Sequence, residues 1–164
     1  MTAWFAVART IVVVAAFTWL WGAAALWARR LDALIGTLPP WTPPPGVAAL
    51  LIGAPLALTC AVLFAVRGRG TPAPFDPPRT FVIFGPYRVV RNPMYVGAWL
   101  TILGIALILR SSGILALSVA FVACAHLFVM LYEEPTLTAK FGATYDRYRA
   151  TVPRWIPHAK LVSW

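Results

Sequence analysis

Four apolar runs, each with almost no charge inside it, constrain this chain more than any other feature. They cover about Phe5–Ala28, Val47–Val66, Pro93–Leu109 and Ile114–Tyr132. A helix needs roughly 20 apolar residues to cross the hydrocarbon core of a bilayer. In lipid, only structures that satisfy their own backbone survive, which leaves helices for runs of this kind. The expected class is therefore all-α and integral to the membrane: about four transmembrane helices, followed by an amphipathic C-terminal helix. Composition agrees, with 60% apolar and 12% charged residues and a mean hydropathy of +0.76. The net charge of +9 is read through the positive-inside rule, not as a nucleic-acid signature. The first run has only Arg9 near its start and is longer than the core of a secretion signal, so it reads as a retained helix.

The connections refine this picture. Pro39, Pro40, Pro43, Pro44 and Pro45 predict a stiff, extended loop before the second span. Pro55 predicts a kink within that span. Residues 67–92 form the longest non-apolar segment, in which Phe81-Val82-Ile83-Phe84 is expected to touch the membrane surface. Only four residues, Arg110 to Gly113, join spans three and four, which makes them an antiparallel hairpin. After Pro135, the spacing of Leu137, Phe141, Tyr145 and Tyr148 predicts one amphipathic helix lying in the interface. The whole reads as a single membrane domain over 1–164: a helix pair (1–66), a loop (67–92), and a hairpin with its C-terminal helix (93–164). Four spans place eleven of the fourteen basic residues on the side of both termini and the 67–92 loop. That side is expected to be cytoplasmic, in a prokaryotic inner membrane.

Two charged knots stand on that side. The first is Gly85-Pro-Tyr-Arg-Val-Val-Arg-Asn-Pro-Met-Tyr-Val-Gly97, a turn leading into a helix start. Asn92 is expected to cap the first turn with its side chain, and Pro93 to sit where no backbone donor is needed. The second is Glu133-Glu134-Pro135, expected to close the last span. These are the only glutamates among five acidic residues. Carboxylates at a membrane boundary are costly unless paired, so either they tie the hairpin to Arg88, Arg91 or Lys140, or one of them holds a cationic ligand group. His126 lies seven residues before Glu133, two helical turns away, on the same face. It is either a packing histidine or a candidate proton acceptor. His158 reads as surface. Cys60 and Cys124 read as small core residues, and no metal-ligand spacing is present.

Together the motifs resemble a known group. Gly85-x-Tyr87-x-x-x-Arg91-Asn92-Pro93-x-Tyr95-x-Gly97, then Glu133-Glu134-x-x-Leu137-x-x-x-Phe141-Gly142-x-x-Tyr145-x-x-Tyr148, then Val152-Pro153-Arg154, are similar to the membrane methyltransferases of the isoprenylcysteine carboxyl methyltransferase and phospholipid methyltransferase family. The resemblance covers about Phe81 to Pro157. It implies S-adenosylmethionine-dependent methyl transfer to a lipophilic small molecule, lipid or prenylated acceptor, in a helical pocket roofed by the C-terminal segment. Tyr87, Arg91, Asn92, Pro93, Tyr95, Gly97, Glu133 and Glu134 are then expected around the cofactor, with Arg91, His126 and Glu133 as catalytic candidates. Asn92 stands where isoprenylcysteine methyltransferases carry histidine, which removes a titratable group from that position. Two alternatives remain at this stage. Sterol-type reductases, which use a nicotinamide cofactor, share an Arg-x-Pro-x-Tyr-x-Gly corner, but they are expected to be longer and to lack the Glu-Glu motif. A lipid-binding scaffold accounts for the basic loops without any chemistry.

Overall fold

The computed structural model describes residues 3–64, 66 and 83–157. In chain order these form α1 (Ala3–Ala28), a 3-10 turn (Arg29–Leu31), α2 (Asp32–Ile35), α3 (Pro43–Leu63), a 3-10 turn (Gly85–Arg88), α4 (Pro93–Ile108), α5 (Ser112–Phe128), a π turn (Val129–Glu133), α6 (Glu134–Phe141) and α7 (Ala143–Thr151). No named strand occurs among the described residues; Thr37 and Ser111 form an isolated antiparallel bridge. The stretches Ile11–Ile35, Pro43–Leu63 and Ser112–Phe141 are long and apolar enough to cross a membrane, and Pro93–Ile108 is a shorter apolar helix. The architecture is that of an all-α membrane protein. Its outer surface is apolar as lipid requires, with Trp19, Leu26, Leu51 and Leu131 each about 70% exposed. Arg67, Arg69, Arg79, Val82, His158 and most of the 67–92 loop lie outside the described residues.

The tightest contact in the bundle is a glycine seam. Gly46 and Gly53 of α3 face Gly104 and Gly97 of α4, running antiparallel. A Cβ at Gly97 would stand 2.6 Å from the Ala57 amide nitrogen, and one at Gly53 would stand 2.7 Å from that of Thr101. Seven-residue spacing keeps each pair on one helical face, and small residues let membrane helices approach backbone to backbone. α1 is attached more loosely, through the edge-on packing of Trp21 against Phe121 at 5.0 Å.

One end of the α4–α5 hairpin is closed by a satisfied polar knot. Ser111 caps α5 by accepting from the Ile114 amide at 3.1 Å, and its hydroxyl donates to Asp32 Oδ1 at 3.0 Å. The Gly113 amide donates to the same oxygen at 2.8 Å. Arg110 Nε donates to the Leu38 carbonyl, and Thr42 Oγ1 to that of Leu107. Gly113 passes so close to Ala28 that a methyl group there would overlap the Ala28 carbonyl.

Four local expectations are corrected. Pro43, Pro44 and Pro45 do not extend the loop; they form the first turn of α3, where missing amides cost nothing. Asn92 does occupy the cap position of α4, but its side chain makes no capping bond. It donates instead to the Arg154 carbonyl at 3.2 Å. Glu133-Glu134-Pro135 does not end the last helix. Pro135 lacks an amide and its ring crowds the carbonyl four residues back, and the helix passes this point through the wider π turn before continuing as α6. Finally, the amphipathic segment is two helices, broken at Gly142, whose φ of +52° is unfavourable for any residue with a Cβ. Its predicted apolar face survives the break: Tyr145, Tyr148 and Val152 cluster with Leu137, Phe141 and Ile83.

Candidate functional site

At the open end of the hairpin, both charged knots meet. The first is shaped by Gly85, whose φ of +55° turns the chain into the 3-10 turn and buries Tyr87. That ring packs on Phe64 at 5.5 Å and beside Cys60. The second knot is presented by the π turn, which carries Glu133 and Glu134 onto the corner from the α5 side.

A C-terminal strap, Val152 to Trp155, is laced across the corner. The Tyr148 hydroxyl donates to the Tyr87 carbonyl at 2.6 Å, and the Arg91 amide donates to the Pro153 carbonyl at 2.8 Å. Arg154 grips Glu134 with a two-pronged fork, Nε to Oε1 at 2.7 Å and Nη2 to Oε2 at 3.0 Å. Such forks are among the strongest side-chain hydrogen bonds, and this one holds the Arg154 guanidinium more firmly protonated than usual. Arg91 Nη1 also lies 3.0 Å from Glu134 Oε1, but off its N–H axis, so the two form an ion pair without a hydrogen bond.

These residues surround a small cleft that is partly open at its mouth. Its walls are Phe64, Tyr87, Arg91, Asn92, Val129, Glu133, Glu134, Leu137, Tyr145 and Tyr148. Four buried polar atoms there have no hydrogen-bond partner: Tyr87 Oη, Arg91 Nε, Arg91 Nη1 and Glu133 Oε2. Buried polar atoms are normally satisfied, so this cluster, in which Arg91 Nη1 has only its ion pair with Glu134, marks the cleft as a place suited to something polar. Burial pushes the Tyr87, Tyr145 and Tyr148 phenols above their usual range, so they stay neutral donors.

The structure brings Tyr87, Arg91, Asn92, Glu133 and Glu134 to the cleft wall. Pro93 is fully buried behind it. Tyr95 stands against the Glu133 carboxyl group from α4 and meets Trp155 edge-on at 6.4 Å. Gly97 lies away from the cleft, in the α3–α4 seam. His126 does not line the cleft either: its Nδ1 accepts from Trp155 Nε1 at 3.0 Å. Arg154 belongs to the sequence motif but carries no expected role at the site, and nothing local to Phe64, Val129 or Trp155 points to one. The spacing of Leu137, Tyr145 and Tyr148 predicts a membrane face, and the structure turns all three to the cleft. Among the described residues no cluster of potential metal ligands occurs.

Comparison with known proteins gives one match. The family model described as phospholipid methyltransferase matches residues 46–144, from the first turn of α3 to the start of α7. No curated protein and no solved structure matches the chain.

Proposed function

The chain belongs to the phospholipid methyltransferase family, and from that premise we propose that it transfers a methyl group from S-adenosylmethionine to a lipid-type acceptor at the cytoplasmic face of the membrane. The observation that carries this reading is the set of unmet atoms around the cleft. Arg91 offers a buried donor, Nε, and Glu133 a buried acceptor, Oε2, and both residues line the cleft. An amino-acid group, with its carboxylate and its ammonium, complements that pair. The Tyr87 hydroxyl supplies a further polar contact, and the tyrosine faces suit a cation. The donor set fits the cofactor.

Bound beside Arg91 and Glu133, S-adenosylmethionine would supply a methyl group on a sulfonium, open to in-line displacement by the acceptor with the neutral thioether as leaving group. Positioning and exclusion of water are then the main tasks of the protein. Glu134 is taken up by Arg154 and Arg91, so its role is to hold Arg91 in place and fasten the strap. Glu133 keeps a free oxygen. It is the ligand-facing carboxylate, and where an acceptor must shed a proton it is the group in the cleft that can take it. Phe64, Val129 and Leu137 supply apolar wall. The cytoplasmic assignment is supported by the basic residues: among the described ones, Arg88, Arg91, Lys140, Arg147, Arg149 and Arg154 lie at the end of the site, against Arg29, Arg30 and Arg110 at the other.

The test is titration calorimetry of S-adenosylmethionine against the purified protein in nanodiscs. Wild type is expected to bind, and Glu133→Gln to lose at least about tenfold in affinity, about 1.4 kcal/mol. A folded wild-type sample that does not bind overturns the proposal.

A further inference from the structure

We propose that Trp155 is a plug in the wall between the cleft and the bilayer, and that His126 is the latch that positions it. The inference rests on the function proposed above, and it concerns the side by which a lipid-type acceptor reaches the cleft.

The Trp155 indole spans the gap between the first turn of α4 and the last turns of α5. It meets Tyr95 edge-on at 6.4 Å and His126 at 6.0 Å, tilted by 38°. Tyr95 in turn stands against Glu133, which lines the cleft. The order across the wall is therefore Glu133, Tyr95, Trp155, His126, from the cleft outward. Apolar surface adjoins this wall along the chain: Leu127 and Ile156, the neighbours of His126 and Trp155, are 55% and 77% exposed, and Leu131 is 73% exposed. Trp155 is only half-buried. It is carried by the strap, not by a spanning helix.

One directional bond holds the ring. The indole N–H donates to His126 Nδ1 at 3.0 Å, which leaves the proton of the neutral imidazole on Nε2. His126 is thereby occupied as an acceptor toward Trp155, which argues for positioning and against direct proton transfer. Arg154, the neighbour of Trp155, is forked to Glu134. The strap thus links the plug on one side to the charged wall of the cleft on the other.

The experiment uses full-length protein labelled with 5-fluorotryptophan in phosphatidylcholine nanodiscs. The Trp155 fluorine resonance is identified by its loss in Trp155→Phe. It is expected to broaden when the nanodiscs contain lipid with a nitroxide on the upper acyl chain. His126→Leu is expected to shift and broaden it, and His126→Gln, whose carbonyl can accept the indole N–H, to restore the wild-type position. A resonance indifferent to the nitroxide, or to His126→Leu, overturns the plug. In parallel, S-adenosylhomocysteine affinity of His126→Leu is expected to stay within about twofold of wild type, under about 0.5 kcal/mol. A larger loss puts His126 in the cofactor site and overturns the latch. Absence of binding in wild type defeats the methyltransferase reading instead, and the fluorine spectra then decide the plug alone.

Discussion

The two ends of the α4–α5 hairpin use the same materials, an acid, an arginine and a tight turn, and reach opposite results. At the Ser111 end, Asp32 receives a hydroxyl and an amide, Arg110 finds the Leu38 carbonyl, and Thr42 finds that of Leu107. At the Arg91 end, Glu134 is shared between two guanidinium groups, while Arg91, Glu133 and Tyr87 keep buried polar atoms unmet. A satisfied knot holds the fold. An unsatisfied one of the same composition keeps interaction energy available for a ligand, at a cost the rest of the fold must carry.

The sharpest way to break this contrast is Glu134→Ala. It strips the counter-charge from Arg91, whose side chain is only 9% exposed, and releases the Arg154 fork. Breaking a buried pair from one side costs about 3 kcal/mol. We expect a marked fall in the thermal unfolding midpoint together with loss of measurable cofactor binding; an unchanged midpoint would show that the cluster contributes nothing to folding. At the other end, Gly113→Ala forces a methyl group onto the Ala28 carbonyl, an overpacking expected to cost about 2 kcal/mol. Denaturation in detergent should show that loss, while calorimetry on the remaining folded protein shows cofactor affinity unaltered. Loss of affinity without loss of stability would reverse the assignment of the two ends. The smallest effect is expected for Tyr148→Phe, which deletes one buried hydrogen bond to the Tyr87 carbonyl, worth about 1 kcal/mol. Because that bond ties α7 to the corner, amide exchange should rise at Tyr148 and Val152 and remain unchanged at Ser111.

The spans were legible because hydropathy over 16 to 26 residues is a strong signal, and Arg110 to Gly113 announced the hairpin. The two knots were legible because charge is so scarce that any cluster of it stands out. Less visible were effects that depend on a partner remote in sequence. Asn92 has the right chemistry for a cap, but a carbonyl 62 residues away outcompetes the local amides for its side chain. Pro135 reads as a terminator by local rules, yet packing carries the helix through it by widening one turn. Pro43, Pro44 and Pro45 illustrate how the same residue stops a helix from within and starts one from its first turn. Tyr145 and Tyr148 had their periodicity read correctly and their destination missed, because period says which residues share a face and not what covers it. His126 and Trp155 are 29 residues apart, and nothing local to either pairs them.

The glycine seam has a mechanical consequence. Where α3 and α4 touch, there is no layer of side chains between the backbones, hence nothing that can change rotamer to absorb a shift. Sliding by one residue would drive Ala57 or Leu100 into the opposing main chain. These two helices therefore behave as a single stiff plank, with Arg91 and Tyr95 fixed at its foot. The strap is bonded to that foot, through the Arg91 amide and the Asn92 side chain, and shares its stiffness. The arginine stands on the rigid part of the site, and Glu134, brought in from the other helix, is clamped against it.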